Sequence, residues 1–277
     1  MKKLIILFFI FIYISAVSCS EDKDNPVTPD DKDTSKWKLV WADEFDYEGN
    51  PDPKKWGYDI GGHGWGNNEL QYYTDREKNS VVKDGKLVIT AEVENYENNF
   101  YTSARLVTKG KGDWTYGRFE IRAKLPSGKG TWPAIWMLPT VWSYGNGGWP
   151  DNGEIDIMEH VGYDQGKIHA SIHCNNYVHS NGTQKTGTTI VTDCSEEFHN
   201  YIIEWNENEI RGLIDDKPYF RFINEGTGWE VWPFDKDFHI ILNVAVGGNW
   251  GGLQGVDGYI FPQTMEVDYV RVYKAND

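Results

Sequence analysis

Three acidic residues stand close together in the segment GEIDIMEHVG: Glu154, Asp156 and Glu159. Side chains of a β-strand alternate between two faces, so Glu154 and Asp156 share a face, whereas regular alternation would turn Glu159 to the other side. One extra residue in a β-bulge, at Ile157 or Met158, would return Glu159 to the first face. We therefore expect a bulged strand that presents all three acids to one groove and packs its apolar residues behind them.

This set of acids has few explanations other than chemistry. Asp and Glu are depleted in strands and like charges on one face repel each other, so stability does not favour the arrangement. A cation would need oxygen ligands from several directions, and three acids on one strand are poorly placed to enclose it. Glycoside hydrolysis does use such a set, because one carboxylate attacks or stabilises the sugar carbon while one carboxylic acid protonates the leaving oxygen. Asp156 would keep negative charge near Glu159 and raise its pKa toward that of a useful acid.

The composition indicates a folded, aromatic-rich β protein. The chain has 277 residues, of which 39% are hydrophobic and 15% aromatic, enough for a core, so a disordered protein is excluded. The 13 Trp, 16 Tyr and 29 Gly favour a turn-rich β architecture with more rings than a core needs. The formal net charge of -15 argues against nucleic acid as a partner, whereas a neutral polysaccharide raises no such conflict.

Short apolar or alternating runs, separated by Gly, Asn and Asp, fill the chain from Trp37 to about Tyr273, with no long segment of helical period. This pattern predicts an all-β fold, a β-sandwich of two stacked antiparallel sheets in one domain, residues 37–277. We expect the strand-like segments WKLVWADEF and MEVDYVRVY, near the two ends, to pair. Other predicted strands are KLVITAEV, GRFEIRAKL, NYIIEWN, IRGLIDD and FHIILNVAV.

The first residues are typical of an export signal. Two lysines precede the apolar run LIILFFIFIYIS, which is short for a membrane-spanning helix and suits a secretion signal; an uncleaved anchor is the alternative. The following AVSC resembles the lipobox of bacterial lipoproteins, in which the cysteine, here Cys19, is acylated and becomes the mature N-terminus. The charged, Pro-containing segment after it predicts a flexible tether. We expect a signal peptide at 1–18, a lipidated tether at 19–36, and an outer-membrane lipoprotein whose acidic tether resembles surface-export signals.

Two further cysteines, Cys174 and Cys194, lie inside the domain. They are the candidates for one internal disulfide in an oxidising compartment. The spacing alone does not show that their Cα atoms approach closely enough, but we expect the bridge.

The acid strand and several other segments resemble glycoside hydrolase family 16, in the bulged form of its laminarinase-like branch. The resemblance extends in order through WADEF, GWGNNELQYYT, GTWPAIWMLP, HASIH, LNVAVGGNWGG and MEVDYVRVY. It implies a jelly-roll β-sandwich with a concave substrate cleft and a retaining double displacement, which the spacing of the acids permits without proving. By match to the motif, Glu154 would be the nucleophile, Glu159 the acid/base and Asp156 their assistant, with no cofactor for catalysis.

Aromatic residues are the main candidates for sugar contacts. Trp132 and Trp136 are four positions apart, so on a strand they face the same way with Ala134 between them. Their rings suit either a core or a sugar face, and the resemblance places them in the cleft. The Gly-rich loops add Trp142, Trp149 and Trp250 as candidate outer subsites, since exposed rings are costly without a ligand. The resemblance also implies substrate contacts for Asn67, Asn68, Arg105 and His173.

Many members of that family hold a calcium ion on the convex side, away from the cleft. The matching positions here are Glu44, Gly85 and Asp268, through carboxylate or main-chain oxygens, which suit calcium. The resemblance therefore implies a structural ion that contributes to stability rather than to catalysis.

The resemblance and the acids together predict an endo-acting β-glucanase, a monomer that cleaves laminarin or mixed-linkage 1,3-1,4-glucan. Agarases and carrageenases share the fold, but sulfated galactans usually require a more basic cleft than this acidic chain offers. A non-catalytic glucan-binding protein is a second alternative, and the presence of all three acids argues against it. A glucan transglycosylase is the third, and would produce chains longer than its donor.

Overall fold

Strands account for nearly all of the regular structure between residues 36 and 276, the part of the chain that the computed structural model describes. The predicted signal peptide, Cys19 and nearly all of the predicted tether lie outside these residues. Within them, no helix has the length and apolar character needed to cross a membrane. Export and lipidation therefore remain predictions.

The short lengths of most strands follow from the Gly, Asn and Asp residues that separate the apolar runs. In the described part of the chain, the strands are β1 (Trp37–Asp43), β2 (Gly57–Tyr58), β3 (Gln71–Tyr73), β4 (Ser80–Lys83), β5 (Lys86–Tyr96), β6 (Asn99–Ser103), β7 (Arg105–Val107), β8 (Asp113–Trp114), β9 (Gly117–Lys124), β10 (Thr131–Pro139), β11 (Glu154–Glu159), β12 (Lys167–His173), β13 (Lys185–Ile190), β14 (His199–Trp205), β15 (Glu209–Ile214), β16 (Lys217–Ile223), β17 (Phe238–Val246) and β18 (Gln263–Ala275). Between residues 36 and 276, 3₁₀ turns occur at His179–Asn181 and Gly258–Ile260.

These strands form two sheets. A ten-stranded sheet has the order β16-β15-β14-β9-β18-β5-β6-β3, with β1 added on β18 and β4 on β5. An eight-stranded sheet has the order β13-β12-β11-β10-β17-β7-β2, with β8 added on β17. Pairing is antiparallel, except that β3 and β6 are parallel. The predicted β-sandwich of antiparallel sheets is confirmed, and β17 coincides with the predicted strand FHIILNVAV.

Strand β17 shows how the eight-stranded sheet serves two purposes. All nine of its residues are buried. Phe238, Ile240 and Leu242 belong to the apolar core, while Asn243 and Ala245 line a cleft. Because strand side chains alternate in direction, one face of this sheet packs into the core and the other forms the floor of the cleft.

The two ends of the domain pair as expected. Strand β1 runs antiparallel to β18, with Trp37 opposite Ala275 and Asp43 opposite Val270. Trp41 of β1 then packs edge-on against Trp56 and Trp114, with ring centroids 5.8 and 5.4 Å away. The first and last strands therefore stabilise each other and belong to the sheet opposite the cleft.

Candidate active site

Strand β11 carries the three acids, and it contains the predicted bulge. Asp156 pairs with Ser171 of β12 and Glu159 pairs with His169, so three steps along β11 match two along β12. The pairing with β10 shifts at the same place. Ile157 and Met158, the consecutive residues between the acids, are both buried in the core. The bulge absorbs one residue, and Glu159 returns to the face that carries Glu154 and Asp156.

The acid face of β11 lines a cleft of about 650 Å³. Strands β10, β12 and β17 supply its other central residues, and loops supply its ends. A volume of this size suits a ligand of several hundred daltons. The lining is a mixture of acids, amides, hydroxyls, imidazoles and indoles, among them Glu69, Tyr73, Trp132, Trp136, Glu154, Asp156, Glu159, His169, His173, Asn243 and Trp250.

Each of the two glutamates accepts a hydrogen bond from an indole. Trp132 Nε1 donates to Glu159 Oε1 over 3.1 Å, and Trp149 Nε1 donates to Glu154 Oε2 over 2.9 Å. Trp132 belongs to β10 and Trp149 to the loop before β11. Both carboxyl groups are thereby held in place at one of their oxygens.

Asp156 lies between the glutamates and forms an ion pair with His173 of β12. The distance from His173 Nε2 to Asp156 Oδ2 is 3.3 Å, and that to Glu154 Oε1 is 3.8 Å. Burial by itself would lower the pKa of His173, but its contact with Asp156 and the charges of Glu154 and Glu159 raise this pKa to about 9. At neutral pH the imidazolium therefore offsets part of the negative charge on this wall.

Burial and the charge of Asp156 raise the pKa of both glutamates, and burial is the larger cause. For Glu159 the pKa lies well above its ordinary value, since the charge of Glu154 raises it further. For Glu154, close to His173, the imidazolium opposes the rise. A proton shared by the pair therefore resides preferentially on Glu159, and Glu154 is the group that ionises first.

Such a pair, one carboxylic acid and one carboxylate on a shared wall, suits glycosidic bond cleavage. A comparison with protein families matches residues 66–271 to glycosyl hydrolases family 16. The chain belongs to this family. It is an enzyme, a family 16 glycoside hydrolase, and the family needs no cofactor for catalysis.

Relatives of this family 16 enzyme align over most of its length. A "Beta-glucanase" of Rhodothermus marinus is 59% identical over 244 residues, which cover 86% of this chain and 85% of the relative. The X-ray structure of the laminarinase from Rhodothermus marinus superposes with a TM-score of 0.86 at 58% identity, covering 87% of this chain and 98% of that one. A non-specific endo-β-1,3(4)-glucanase, crystallised with 1,3-β-D-cellotriosyl-glucose, has a TM-score of 0.82 at 48% identity, covering 86% and 95%.

The predicted pair of tryptophans on β10 faces the cleft of the family 16 enzyme, with Ala134 between them. Trp136 Nε1 donates to Asn243 Oδ1 over 2.7 Å. The Arg105 guanidinium lies 4.7 Å from the ring centroids of both Trp136 and Trp65, a cation–π arrangement that fixes the arginine beside the cleft. Arg105 therefore reaches the sugar site but is also held by two indoles.

Most of the predicted sugar-contacting residues do line the cleft: Asn67, Arg105, Trp132, Trp136, His173 and Trp250. Asn68 and Trp142 are not among these lining residues, and their substrate contacts stay predictions. Asn68 donates its side-chain N–H to Asn249 Oδ1 over 2.8 Å, so it supports a lining residue instead of lining the cleft. Trp142 is half-buried, whereas Trp149 of the same loop donates a hydrogen bond to Glu154.

Polar residues that the sequence did not predict also line the cleft, among them Glu69, Tyr73, Asn243 and Asn249. Three of them form a chain of hydrogen bonds, in which Asn243 Nδ2 donates to Tyr73 Oη over 3.0 Å and Tyr73 Oη donates to Glu69 Oε2 over 3.3 Å. Burial raises the pKa of Glu69. The one available signal was a polar Asn243 within the apolar run FHIILNVAV, which stability alone does not explain.

The predicted disulfide is wrong, because Cys174 and Cys194 are both buried free thiols. Cys174 follows the end of β12, while Cys194 lies beside Gly166, just before its start. The eight strand steps between residues 166 and 174 correspond to about 26 Å, far beyond the reach of a disulfide.

Of the positions matched to calcium, Asp268 lies in β18 of the sheet opposite the acids, and Glu44 and Gly85 lie in loops next to strands of that sheet. Both carboxylate oxygens of Glu44 accept hydrogen bonds from Arg271, over 2.8 and 2.7 Å, and Asp268 pairs with Arg122 over 2.5 Å. Gly85 occupies the turn between β4 and β5. A calcium ion ligated by these two carboxylates does not fit this arrangement, since arginines already hold them, and main-chain oxygens remain as the suitable ligands.

Ligand atoms of Glu154, Asp156 and His173 lie within 4.8 Å of one another. This spacing could suit a cation, but all the ligand atoms come from the neighbouring strands β11 and β12, whereas a cation prefers ligands that converge from several directions. The cluster is better explained by the two protonation states that the glutamates need.

Proposed function

We propose that this enzyme is an endo-acting β-glucanase that hydrolyses chains containing 1,3-linkages, such as laminarin or mixed-linkage 1,3-1,4-glucan, by a retaining double displacement. One observation carries the proposal: the bulge in β11 brings Glu154 and Glu159 onto the same wall of a sugar-sized cleft. The relatives described as a β-glucanase, a laminarinase and an endo-β-1,3(4)-glucanase support this substrate class.

In the first step, the Glu154 carboxylate attacks the anomeric carbon. A bond forms between a Glu154 oxygen and this carbon while the bond to the glycosidic oxygen breaks. Glu159 gives its proton to that oxygen, so the leaving sugar departs with a free hydroxyl. The raised pKa of Glu159 keeps this proton available near neutral pH.

In the second step, water attacks the same carbon from the side of Glu159. Glu159, now a carboxylate, accepts a proton from the water, and the ester bond to Glu154 breaks. The product keeps the β configuration, and both glutamates return to their starting protonation states. Asp156 and His173 hold the charge around Glu154 nearly balanced through both steps.

Cleavage within a chain requires sugar contacts on both sides of the broken bond. Trp132 and Trp250 lie beside Glu159, with ring centroids 5.5 Å apart, whereas Trp149 lies beside Glu154. Indole faces suit sugar rings. Aromatic surfaces next to both glutamates therefore favour binding in the middle of a glucan chain.

A substrate panel tests this function. The purified domain would be incubated with laminarin, mixed-linkage glucan, xyloglucan and agarose, and the released oligosaccharides and their anomers identified by NMR. We expect β-anomers and mixed chain lengths from laminarin or mixed-linkage glucan. Cleavage of agarose or xyloglucan alone would contradict the proposal. Products longer than the donor would indicate a transglycosylase. Binding of glucan without any products would indicate a glucan-binding protein.

The two glutamates can be told apart by chemical rescue. Glu154→Ala removes the nucleophile, so azide should enter its place and give an α-glycosyl azide from an activated donor. Glu159→Ala leaves the covalent intermediate intact, so azide should attack that intermediate and give a β-glycosyl azide. The opposite stereochemistry in either variant would exchange the two roles.

The same proposal includes an exported monomer, anchored to the outer membrane only through a lipid on Cys19. The sequence AVSC and the charged segment after it support this location. Cys19→Ala should move the protein from the membrane fraction to the soluble fraction, and gel filtration of the domain should give the mass of one chain.

A structural calcium ion, held by main-chain oxygens at Glu44, Gly85 and Asp268, is part of the proposal as well. It would act on stability, because these residues lie in or next to strands of the sheet opposite the acids. Chelation should then lower the Tm and leave kcat unchanged, whereas an unchanged Tm would count against the ion.

A further inference from the structure

The two oxygens of the Glu154 carboxylate have different surroundings. Oε2 accepts a hydrogen bond of 2.9 Å from Trp149 Nε1. Oε1 lies 3.8 Å from His173 Nε2, which is close enough for charge attraction but too far for a hydrogen bond. One oxygen is therefore held by a directional contact, and the other is free to form a bond.

We propose that Trp149 is a positioning residue for the nucleophile: its indole N–H holds Glu154 Oε2, so that Oε1 is the oxygen that attacks the sugar. This inference rests on the proposed function and goes beyond it, because it assigns the two oxygens and the residue that distinguishes them. An indole N–H donates a hydrogen bond and cannot accept one. It therefore stabilises the carboxylate form of Glu154, which keeps its negative charge.

Trp149 is partly exposed, at 39%, but neighbouring rings fix its orientation. Its ring centroid lies 5.9 Å from that of His173 and 5.3 Å from that of His179. His173 is the same residue that pairs with Asp156, so one imidazole contacts both the acid and the indole. The indole N–H is thereby directed at Glu154 from a packed position.

The loop that carries Trp149 is anchored to the start of β11 through Asn152. Asn152 Oδ1 accepts hydrogen bonds from the main-chain N–H groups of Ser143 and Tyr144, both over 2.7 Å. Asn152 Nδ2 donates to the carbonyl oxygens of Tyr144 and Gly148. Because Asn152 precedes Glu154 by two residues, the loop and the nucleophile are fixed to each other.

Glu159 is held in the same manner, since its Oε1 accepts from Trp132 and its Oε2 is left to carry the proton. The two indoles differ in origin, however. Trp132 belongs to the central strand β10, whereas Trp149 belongs to a loop. The Trp149 contact can therefore be removed with little effect on the sheet.

The test is Trp149→Phe, which keeps a ring against His173 and His179 but loses the donor. Loss of a hydrogen bond to a charged group should lower kcat/KM by about tenfold to a hundredfold, mostly through kcat. The donor lowers the pKa of Glu154, so its loss should move the acidic limb of the pH profile to higher pH. KM for laminarin and the basic limb, which reports Glu159, should stay close to the wild type.

A matched control is Trp229→Phe, which alters an indole stacked on Tyr144 of the same loop, outside the cleft lining. This variant should keep the wild-type rate and pH profile. An unshifted acidic limb in Trp149→Phe, or a loss confined to KM, would overturn the inference while leaving the proposed function intact. Absence of glucan hydrolysis in the wild type would overturn both.

A second measurement does not depend on turnover. The indole N–H resonance of Trp149, assigned by its loss in Trp149→Phe, should shift with pH as Glu154 ionises. In Glu154→Gln this titration should disappear. A resonance that ignores the ionisation of Glu154 in the wild type would refute the hydrogen bond on which the inference rests.

Discussion

Three carboxyl groups share one wall of the cleft, and among the described residues His173 forms ion pairs with two of them, Glu154 and Asp156. Its charge lowers the pKa of both glutamates, which burial and Asp156 raise. The protonation states needed for catalysis therefore depend on a balance between burial, the charge of Asp156 and the charge of His173, to which Arg105 adds at Glu154.

Removal of this positive charge should move the working pH range. In His173→Gln the pKa values of Glu154 and Glu159 both rise, so Glu154 ionises and Glu159 loses its proton only at higher pH. Both limbs of the kcat/KM profile on laminarin should shift upward. The control, His199→Gln, removes an imidazole that pairs with Asp193 and Asp215 on the other sheet, and should leave both limbs in place. A lower rate with unmoved limbs in His173→Gln would contradict this explanation.

Residues of the site differ in how far the sequence predicts them. Glu154, Asp156 and Glu159 could be placed together because strand alternation and a bulge act within a few residues. The same local rule put Trp132 and Trp136 on one face. Glu69 and Asn243 reach the cleft through pairing between segments far apart in the chain, which no local pattern reveals.

At the scale of elements, the bulge in β11 serves the core as well as the site. It sends two consecutive side chains, Ile157 and Met158, into the apolar interior, where a regular strand would bury only one. Both are at most 1% exposed. The packing of these side chains therefore favours the bulged form of the strand.

Truncation of a bulge side chain should be costly. Ile157→Ala would leave a cavity and lower the free energy of unfolding by about 2 to 5 kcal/mol. Ile190→Ala, on the edge strand β13, is a matched control, since Ile190 is 64% exposed and its truncation should change stability by about 0.5 kcal/mol or less. Urea denaturation of both variants measures the difference, and equal losses would show that the bulge does not depend on this packing.

For the two cysteines of the domain, the number of residues suggested a disulfide, whereas the strand geometry excludes one. Cys174 lies just after the end of β12 and Cys194 lies near its start, so the length of this strand separates the two thiols. In a chain that begins at Lys36, thiol titration under denaturing conditions should therefore find two thiols, and a reducing agent should leave the Tm unchanged. If titration found no free thiols, or if reduction lowered the Tm, the predicted disulfide between Cys174 and Cys194 would be supported after all.

At the largest scale, the pairing of β1 with β18 joins the first and last strands of the described part of the chain. Trp41 of β1 packs against the core through Trp56 and Trp114. Strand β1 begins at Trp37, where the sequence places the start of the domain, and this boundary stays a prediction. The sequence predicted this pairing because both terminal segments alternate, but the exact partners follow only from the sheet.

Two truncations test this boundary. A chain beginning at Lys36 should keep the Tm and the activity on soluble laminarin. A chain beginning at Glu44 lacks β1 and should lose about 3 kcal/mol or more of stability, the typical cost of removing one packed aromatic residue. Thermal unfolding and laminarin assays compare the two, and equal stability would show that β1 is dispensable.

The neighbouring positions of Trp37 and Ala275 also define where other proteins can be attached. A short peptide could join the two ends and allow new termini to be opened in an exposed turn, which would yield a circular permutant. A fluorescent protein fused after the last residue would likewise emerge beside the attachment point of the N-terminal segment. Neither change involves the sheet that bears the acids, so both products should still digest glucan.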